Sequence, residues 1–169
     1  MKEIKIENLP NYDGTPSHIE AIGYLFGHNK SADHKKSKVM EIGCGEGGNL
    51  ISLAFNYKES EFLGLDDNAD KIKEAEERIK TLNLTNIKFK QVDYSKLKSS
   101  GKYDYIIMNK LISSVKEEEI EGLLKYANSC LNTKGLLYLS YSVNPGWFLL
   151  ESIADMVKNH VKDAPEEEK

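Results

Sequence analysis

The 169-residue chain has few cysteines and tryptophans: two of the former and one of the latter. Cys44 and Cys130 lie far apart in the sequence and have neither CxxC nor Cys/His ligand spacing. We therefore predict no disulfide framework and no zinc or other metal site. The four histidines are scattered and are interpreted neither as ligands nor as bases: His18, His28, His34 and His160. The low cysteine count favours a reduced, cytoplasmic setting.

The chain also lacks a long hydrophobic run. Its first ten residues, MKEIKIENLP, have no apolar centre of the kind that a signal peptide needs, and no other stretch approaches the length of a membrane span. Acidic residues exceed basic ones, 27 to 23, which gives a net charge of −4, and the lysines are scattered. This balance argues against nucleic acid as a partner. Length and composition favour one globular domain.

The stretch from Val39 to Ala54 combines a short apolar run, a glycine-rich turn and an apolar helix. The run is typical of a parallel strand that is covered on both faces. The glycines remove side chains from the turn, so that a ligand can approach the backbone: Gly43, Gly45, Gly47 and Gly48. Free amides and the positive end of the helix dipole would face that ligand. The stretch predicts a nucleotide-like ligand, the alternative being a glycine-rich turn without one.

Two nucleotide-binding patterns fit these glycines. Gly43-x-Gly45-x-x-Gly48 matches the dinucleotide fingerprint, whereas Glu41-x-Gly43-x-Gly45-x-Gly47 matches the pattern of S-adenosylmethionine (SAM) methyltransferases. Glu41 favours the second pattern, because a carboxylate there can hold the ammonium group of a methionine moiety and would repel a pyrophosphate. A nicotinamide-dependent oxidoreductase is the third hypothesis, after an active methyltransferase and a SAM-binding module without turnover.

Carboxylates also follow the next predicted strands. Asp66 ends the strand Glu61–Asp66 at the distance from the glycines where a carboxylate accepts hydrogen bonds from ribose hydroxyls. Its alternative is a plain helix cap, a role that the neighbouring Asp67 and Asn68 can also fill.

Asp93 and Tyr94 follow the strand Ile87–Val92, whose alternation of apolar residues with lysine is typical of an edge or half-exposed strand. By position, the Asp93 carboxylate can accept from the adenine amino group and Tyr94 can cover the ring. The alternative is a turn aspartate.

Strand and helix patterns alternate along the chain. Strand four is predicted at Tyr103–Met108, and strand five at Gly135–Val143, where a nearly continuous apolar run favours cover on both faces. Four strands, each followed by a helix or crossover, and then a fifth predict an α/β fold with a doubly wound parallel sheet.

Apolar stripes predict the buried faces of the helices. The first helix, Ser17–Phe26, has a capping box at Ser17 and Glu20 and a stripe before Gly27 made of Ile19, Ile22, Leu25 and Phe26. A second capping box, Ser114 to Glu117, opens the helix before strand five. The last helix, Phe148–Val161, has as its predicted buried side Leu149, Leu150, Ile153, Met156, Val157 and Val161.

These motifs together resemble those of class I SAM-dependent methyltransferases: VMEIGCGEGGNL, FLGLDDN, the Asp93 segment and YDYII. More narrowly, the chain is similar to bacterial methyltransferases with a C-terminal regulatory domain, a group that includes protein-lysine methyltransferases acting on outer-membrane proteins. The features that carry this closer resemblance are NYDGTP, a helix ending LFG, LTNI and SYSVNPGW. The resemblance implies a Rossmann-like SAM-binding domain at 38–163, a loop and helix on the lid side of the cofactor at 1–37, and a flexible acidic tail at 164–169.

The resemblance also implies SAM as cofactor, S-adenosylhomocysteine (SAH) as its product, and methyl transfer to a protein, with lysine as one candidate, or to a small molecule. The implied cofactor-binding residues are Glu41, Gly43, Cys44, Gly45, Gly47, Asn49, Asp66, Asp67, Asp93, Tyr94 and Asn109. The catalytic residues are unknown, and the candidates facing the sulfonium are Asn109, Lys110, Tyr141, Asn144 and Tyr12. Each candidate has an alternative as a packing, turn or surface residue.

The chain departs from that group where MNKLISSV replaces a His-Gly and an aromatic residue after strand four, and where no sixth and seventh strands or regulatory domain follow the last helix. We therefore expect a sheet truncated after strand five and its helix. An unpaired edge invites pairing, which predicts a homodimer or a partner chain at strand 135–143 or helix 148–161. A non-catalytic SAM/SAH-binding remnant, or one part of a split methyltransferase, is the alternative function.

Overall fold

The structure is a computed structural model that describes residues 9–28, 33–98, 101–143 and 145–161. In chain order its main elements are α1 (Pro16–Leu25), β1 (Lys38–Ile42), α2 (Gly48–Asn56), β2 (Glu61–Asp66), α3 (Ala69–Thr81), β3 (Ile87–Gln91), β4 (Tyr103–Asn109), α4 (Glu117–Cys130), β5 (Leu131–Ser140) and α5 (Phe148–Val161). Short 3₁₀ turns follow β3 and β4, at Tyr94–Lys96 and Leu111–Ser113. No helix in the described ranges has the length and apolar character that a membrane span requires.

The five strands form one parallel sheet in the order β3-β2-β1-β4-β5. β1 is central, with Val39 opposite Phe62 of β2 and Tyr105 of β4. The chain adds β2 and β3 on one side of β1 and then crosses to add β4 and β5 on the other, so the winding reverses between β1 and β4. Ligands of such sheets bind outside the carboxyl ends of the strands at this reversal. The predicted doubly wound α/β fold is confirmed.

Side chains of the central strands alternate between two apolar cores, one on each face of the sheet. Val39 and Tyr105 pack with residues of α1, α2 and α3, whereas Met40, Ile42 and Ile106 pack with residues of α4. Because both faces are covered, every residue of β1 from Val39 to Ile42 is buried. This confirms the prediction that the apolar run before the glycines is a doubly covered strand.

The first helix begins one residue earlier than predicted. Thr15 is its N-cap, and the Thr15 hydroxyl accepts from the His18 amide at 3.3 Å, so the predicted capping box at Ser17 is wrong. Pro16 follows as the first helical residue, a position where a missing amide hydrogen costs nothing. Gly27 ends the helix with a φ of +86°, as predicted.

Of two later predicted helix starts, one is confirmed and the other is wrong. Asn68 caps α3 as predicted, because its side-chain oxygen accepts from the amides of Asp70 and Lys71 at 3.0 and 3.1 Å. The capping box predicted at Ser114 is wrong. The Ser114 hydroxyl donates to the Leu111 carbonyl at 2.8 Å and so closes a 3₁₀ turn instead.

The predicted apolar faces of α1 and α5 are largely exposed. In α1, Ile19 is 8% exposed but Leu25 is 76% exposed, and Phe26, directly after the helix, is 87% exposed. In α5, the predicted burial is wrong for every side chain of that stripe that is described: Leu149, Leu150, Ile153, Met156 and Val157. The side chain of Val161 lies outside the described residues. A stripe shows that a helix has an apolar face, but it does not show that the chain supplies a surface to cover it.

β5 begins and ends earlier than the predicted strand 135–143, and it pairs with β4 in a register that sets Leu137 opposite Ile106. The prediction of cover on both faces is wrong, since the β5 side chains are half-buried or exposed. Leu136 and Tyr138 are partly buried against the core that contains Val39, and Leu137 and Leu139 are partly buried against the core that contains Met40. Among the described residues β5 is an edge of the sheet, as the expected five-strand sheet predicts.

Candidate functional site

The glycine turn between β1 and α2 is closed on one side and open on another. A Cβ at Gly47, where φ is +77°, would lie 2.5 Å from the Phe89 ring, so packing alone requires this glycine. At Gly45, where φ is +55°, a Cβ would meet nothing within 4 Å. Packing does not require a glycine there, but the left-handed backbone favours one and the space above it is free for a ligand.

The rest of the turn is fixed to β2. The amides of Gly43 and Cys44 both donate to the Leu65 carbonyl, at 2.8 and 3.1 Å. The Cys44 side chain is buried against Gly64, and burial raises the pKa of its thiol. Cys44 therefore shapes the turn and is not a reactive thiol.

Glu41 is a buried acid at the carboxyl end of β1, with 3% of its surface exposed. The Asn49 side-chain amide donates to both of its carboxylate oxygens at 3.3 Å. Burial raises the pKa of Glu41 to about 8; the Asn49 bond opposes this rise and the nearby Asp66 charge adds to it. A cation beside Glu41 would favour its charged form, so this end of the crevice favours an ammonium group.

Asn49 also connects this acid to the N-terminal loop. Its side-chain oxygen accepts from the Asn11 amide at 3.0 Å, and the Asn11 side chain in turn reaches the Tyr138 hydroxyl at 3.5 Å. The sequence predicted Asn49 as a site residue but not this bridge. Asn11 stands 38 positions away, and the only signal for its role is its place in the NYDGTP motif.

Asp66 lies at the carboxyl end of β2 and is 6% exposed. One carboxylate oxygen accepts from the Gly45 amide at 2.8 Å, and the other accepts from the Asn68 amide at 3.0 Å. Asp66 thus joins the glycine turn to the start of α3. The neighbouring Asp67 is exposed, and burial together with the Asp66 charge raises its pKa.

Asp93 and Tyr94 stand at the end of β3, beside a cavity of about 480 Å³ that they line with Asp67, Gln91, Val92 and Glu119. Tyr94 is buried. The Asp93 carboxylate accepts from the Ser95 amide and hydroxyl, at 3.0 and 2.6 Å, and lies 2.6 Å from the Lys96 ammonium. Its bonds with Lys96 and Ser95 lower the pKa of Asp93 to about 2.

A larger groove of about 1320 Å³ lies between α2 and α3 and not at the carboxyl ends of the strands. Its walls include Ile51, Phe55 and Leu82, and only Glu46 and Gly48 of the glycine turn line it. Most of the predicted cofactor-binding residues lie around the smaller cavity and the glycine turn, and we take that edge of the sheet as the candidate site.

On the other side of the winding reversal, Asn109 ends β4 and Lys110 follows it, and both bond Ser140 at the end of β5. The Ser140 hydroxyl donates to the Asn109 side-chain oxygen at 2.7 Å and accepts from the Lys110 amide at 2.9 Å. Ser140 was not among the predicted residues. Tyr141 and Tyr12 are 56% and 73% exposed, the latter against the His18 ring. Asn144 lies outside the described residues.

Comparison with known families decides between the patterns that the glycines fit. A family model described as "Methyltransferase domain" matches residues 33–168. The chain belongs to this family. The methyltransferase domain is 36% identical to the uncharacterized protein RP789 of Rickettsia prowazekii over 94% of this chain and 29% of that protein. It is 33% identical to RP028 of the same organism over 86% of this chain and 58% of that protein. The domain thus spans less than two thirds of either relative.

Solved structures agree with this assignment. PKMT2 from Rickettsia typhi, in complex with AdoHcy, superimposes with a TM-score of 0.85 at 30% identity, over 93% of the methyltransferase domain and 30% of that chain. A coclaurine N-methyltransferase bound to N-methylheliamine and SAH has a TM-score of 0.57 at 23% identity, over 71% and 34%, which shows likeness of fold alone. The predicted resemblance to class I SAM-dependent methyltransferases is confirmed, and SAM is the cofactor.

Proposed function

We propose that the domain binds SAM at the carboxyl ends of β1, β2 and β3 and transfers its methyl group to a protein, with lysine as the candidate side chain, or to a small molecule. One observation carries the proposal. The glycine turn leaves open space at Gly45, and a buried acid, Glu41, stands two residues before that turn. Space for a ligand beside an acid that favours a cation suits the methionine end of SAM.

The other site residues extend the proposed contacts along the same edge. Asp66 has both oxygens bonded to amides, but a carboxylate offers about four acceptor positions, so it can also accept from two ribose hydroxyls. We assign Asp93, Tyr94 and Asp67 to the adenine, and the cavity that they line after β3 supports this assignment. We assign Asn49 to the orientation of Glu41, and Gly43, Cys44 and Gly47 to the shape of the turn.

The chemistry requires little from the protein. The sulfonium of SAM is a good leaving group, so placing the acceptor in line with the methyl–sulfur bond supplies most of the rate. Asn109 and Lys110, held by Ser140, are proposed to line the acceptor side. An acceptor amine must arrive without its proton, because only the neutral form has a free electron pair to attack the methyl carbon.

We also propose a lid role for the segment 1–37, supported by the Asn11–Asn49 bond, with 38–163 as the SAM-binding unit. The acidic segment 164–169 lies outside the described residues. Cys44 and Cys130 are buried thiols, which supports the proposal of a reduced, cytoplasmic setting.

Calorimetric titration with SAH tests the cofactor site. We expect micromolar affinity of the wild type for SAH and no binding of NAD at that concentration. Gly45→Val should lose SAH binding, because a branched side chain would fill the ligand's space. Gly27→Val is the matched control, since Gly27 also has a positive φ and open space at its Cβ but lies at the end of α1. Equal SAH affinity in both variants would overturn the assignment of the turn.

The alternative is a SAM/SAH-binding remnant, or one part of a split enzyme. The exposed apolar face of α5 and the edge position of β5 favour it, because a partner could cover both. Transfer of a radiolabelled methyl group from SAM to proteins of a cell lysate separates the two hypotheses. Label on protein supports turnover by the domain alone, and label only after a second polypeptide is added supports the split form.

A further inference from the structure

The glycine turn contains one charged side chain, Glu46, and α3 contains the only arginine of the chain, Arg78; every other one of the 23 Lys and Arg positions is lysine. The two meet. An Arg78 terminal nitrogen donates to the Glu46 carboxylate at 2.9 Å, and the other donates to the Glu46 backbone carbonyl at 3.4 Å. The carboxylate is buried, at 7% exposure.

This contact holds the turn at the point where its backbone has the greatest freedom. Glu46 lies between Gly45 and Gly47, both at positive φ, and glycine backbones have the most conformations to lose on ordering. The planar guanidinium donates to the side chain and to the backbone carbonyl of Glu46 at the same time, and a lysine ammonium, which acts as a point charge, cannot reproduce this fixed geometry.

The same contact joins the glycine turn to α3, the helix that follows Asp66 of the proposed cofactor site. α3 starts at Ala69, directly after its cap Asn68, and the carboxylate of Asp66, at the end of β2, accepts from the Gly45 amide in the turn. Arg78, farther along α3, bonds the next residue of the turn, Glu46. Removing the guanidinium would leave a buried carboxylate without this partner and would give the backbone at Glu46 more freedom, although the bonds to Leu65 and Asp66 remain.

We propose that Arg78 is a positioning residue that fixes the glycine turn in its cofactor-binding conformation through Glu46. The inference rests on the proposed function, since the turn is taken to bind SAM. Arg78 itself lines the groove between α2 and α3 and is not assigned a contact with the ligand. Its effect on affinity therefore acts through the turn.

The matched control is supplied by the other partner of Arg78. Glu74 lies one helical turn earlier on α3, 2.5 Å from the guanidinium, and its side chain is 44% exposed compared with 7% for Glu46. Exposed pairs of this kind contribute little. Glu74→Gln should change the SAH affinity by less than about twofold.

Calorimetry with SAH at a temperature where circular dichroism shows every variant folded tests the proposal. We expect Arg78→Leu to raise the dissociation constant for SAH at least tenfold, and Arg78→Lys to raise it less. The double variant Glu46→Gln, Arg78→Leu should have the same dissociation constant as Arg78→Leu alone, because both changes remove the same contact. A lowered melting temperature with unchanged SAH affinity would overturn the proposal. If Arg78→Leu does not fold, the same test is made with Arg78→Lys and Glu46→Gln: unchanged SAH affinity in both of these folded variants would overturn the proposal.

Hydrogen exchange of the unliganded protein provides a readout that does not need SAH. We expect the amides of residues 45–48 to exchange about tenfold faster in Arg78→Leu than in the wild type, while those of β4 are unchanged. Equal exchange in the turn overturns the positioning role. If the wild type binds no SAH at all, the proposed function fails, and the exchange experiment still decides whether Arg78 orders the turn.

Discussion

The buried acid Glu41 gives a quantitative prediction for the protein without ligand. Its pKa is raised from 4.5 to about 8. Each factor of ten in proton affinity is worth about 1.4 kcal/mol, so keeping this carboxylate charged in the fold costs up to about 5 kcal/mol. Between these two pKa values the folded protein binds more protons than the unfolded chain, and the free energy of unfolding therefore falls as the pH rises from about 4.5 to about 8.

Glu41→Gln should remove this loss, because glutamine does not ionise and its oxygen can still accept from Asn49. Urea unfolding followed by circular dichroism from pH 5 to pH 9 measures the effect. We expect the variant to become more stable than the wild type as pH rises, by several kcal/mol at pH 9 (about 1.4 kcal/mol for each pKa unit). Glu61→Gln, at an exposed position of β2, should follow the wild-type curve. Parallel curves for Glu41→Gln and the wild type would refute the reasoning.

Further expectations follow from single contacts. Because SAH carries an ammonium group that would lower the pKa of Glu41, binding at pH 7.5 should release protons from the wild type but not from Glu41→Gln, as calorimetry in phosphate and Tris buffers would detect. Asp66→Ala should weaken SAH binding by about 1.5–3 kcal/mol, the value of a charge-assisted hydrogen bond; an unchanged dissociation constant would contradict the ribose assignment. Gly64→Ala should destabilise the fold by about 1–3 kcal/mol, as overpacking does, because a Cβ would overlap the Phe89 ring and lie 2.8 Å from the Cys44 sulfur. Light scattering should detect self-association at micromolar concentration that Ile153→Lys reduces, and a monomeric wild type would argue against pairing through α5.

The sequence was sufficient for the centre of the molecule because its signals there are local. The apolar run, the glycines and Asp66 lie within one strand-turn-helix-strand unit, and each has its predicted position. The cap of α3 at Asn68 is equally local and was predicted correctly.

Contacts between distant positions were beyond such patterns. The Asn11–Asn49 bond spans 38 residues and the Glu46–Arg78 pair spans 32, and nothing in either segment alone specifies its partner. The predictions that the apolar face of α5 is buried and that β5 is covered on both faces were wrong for a related reason. Periodicity and apolar runs indicate which side chains favour burial, but burial also needs a second surface, and the described residues leave these faces exposed.

The central claim is that the carboxyl edge of β1, β2 and β3 holds SAM, and a crystal structure of the protein with SAH tests it most directly. We expect the ribose hydroxyls within hydrogen-bond distance of Asp66, the ammonium group on the side of Glu41, and the adenine in the cavity beside Asp93 and Tyr94. Density for SAH elsewhere, as in the groove between α2 and α3, or an empty crevice at saturating SAH, would contradict the account.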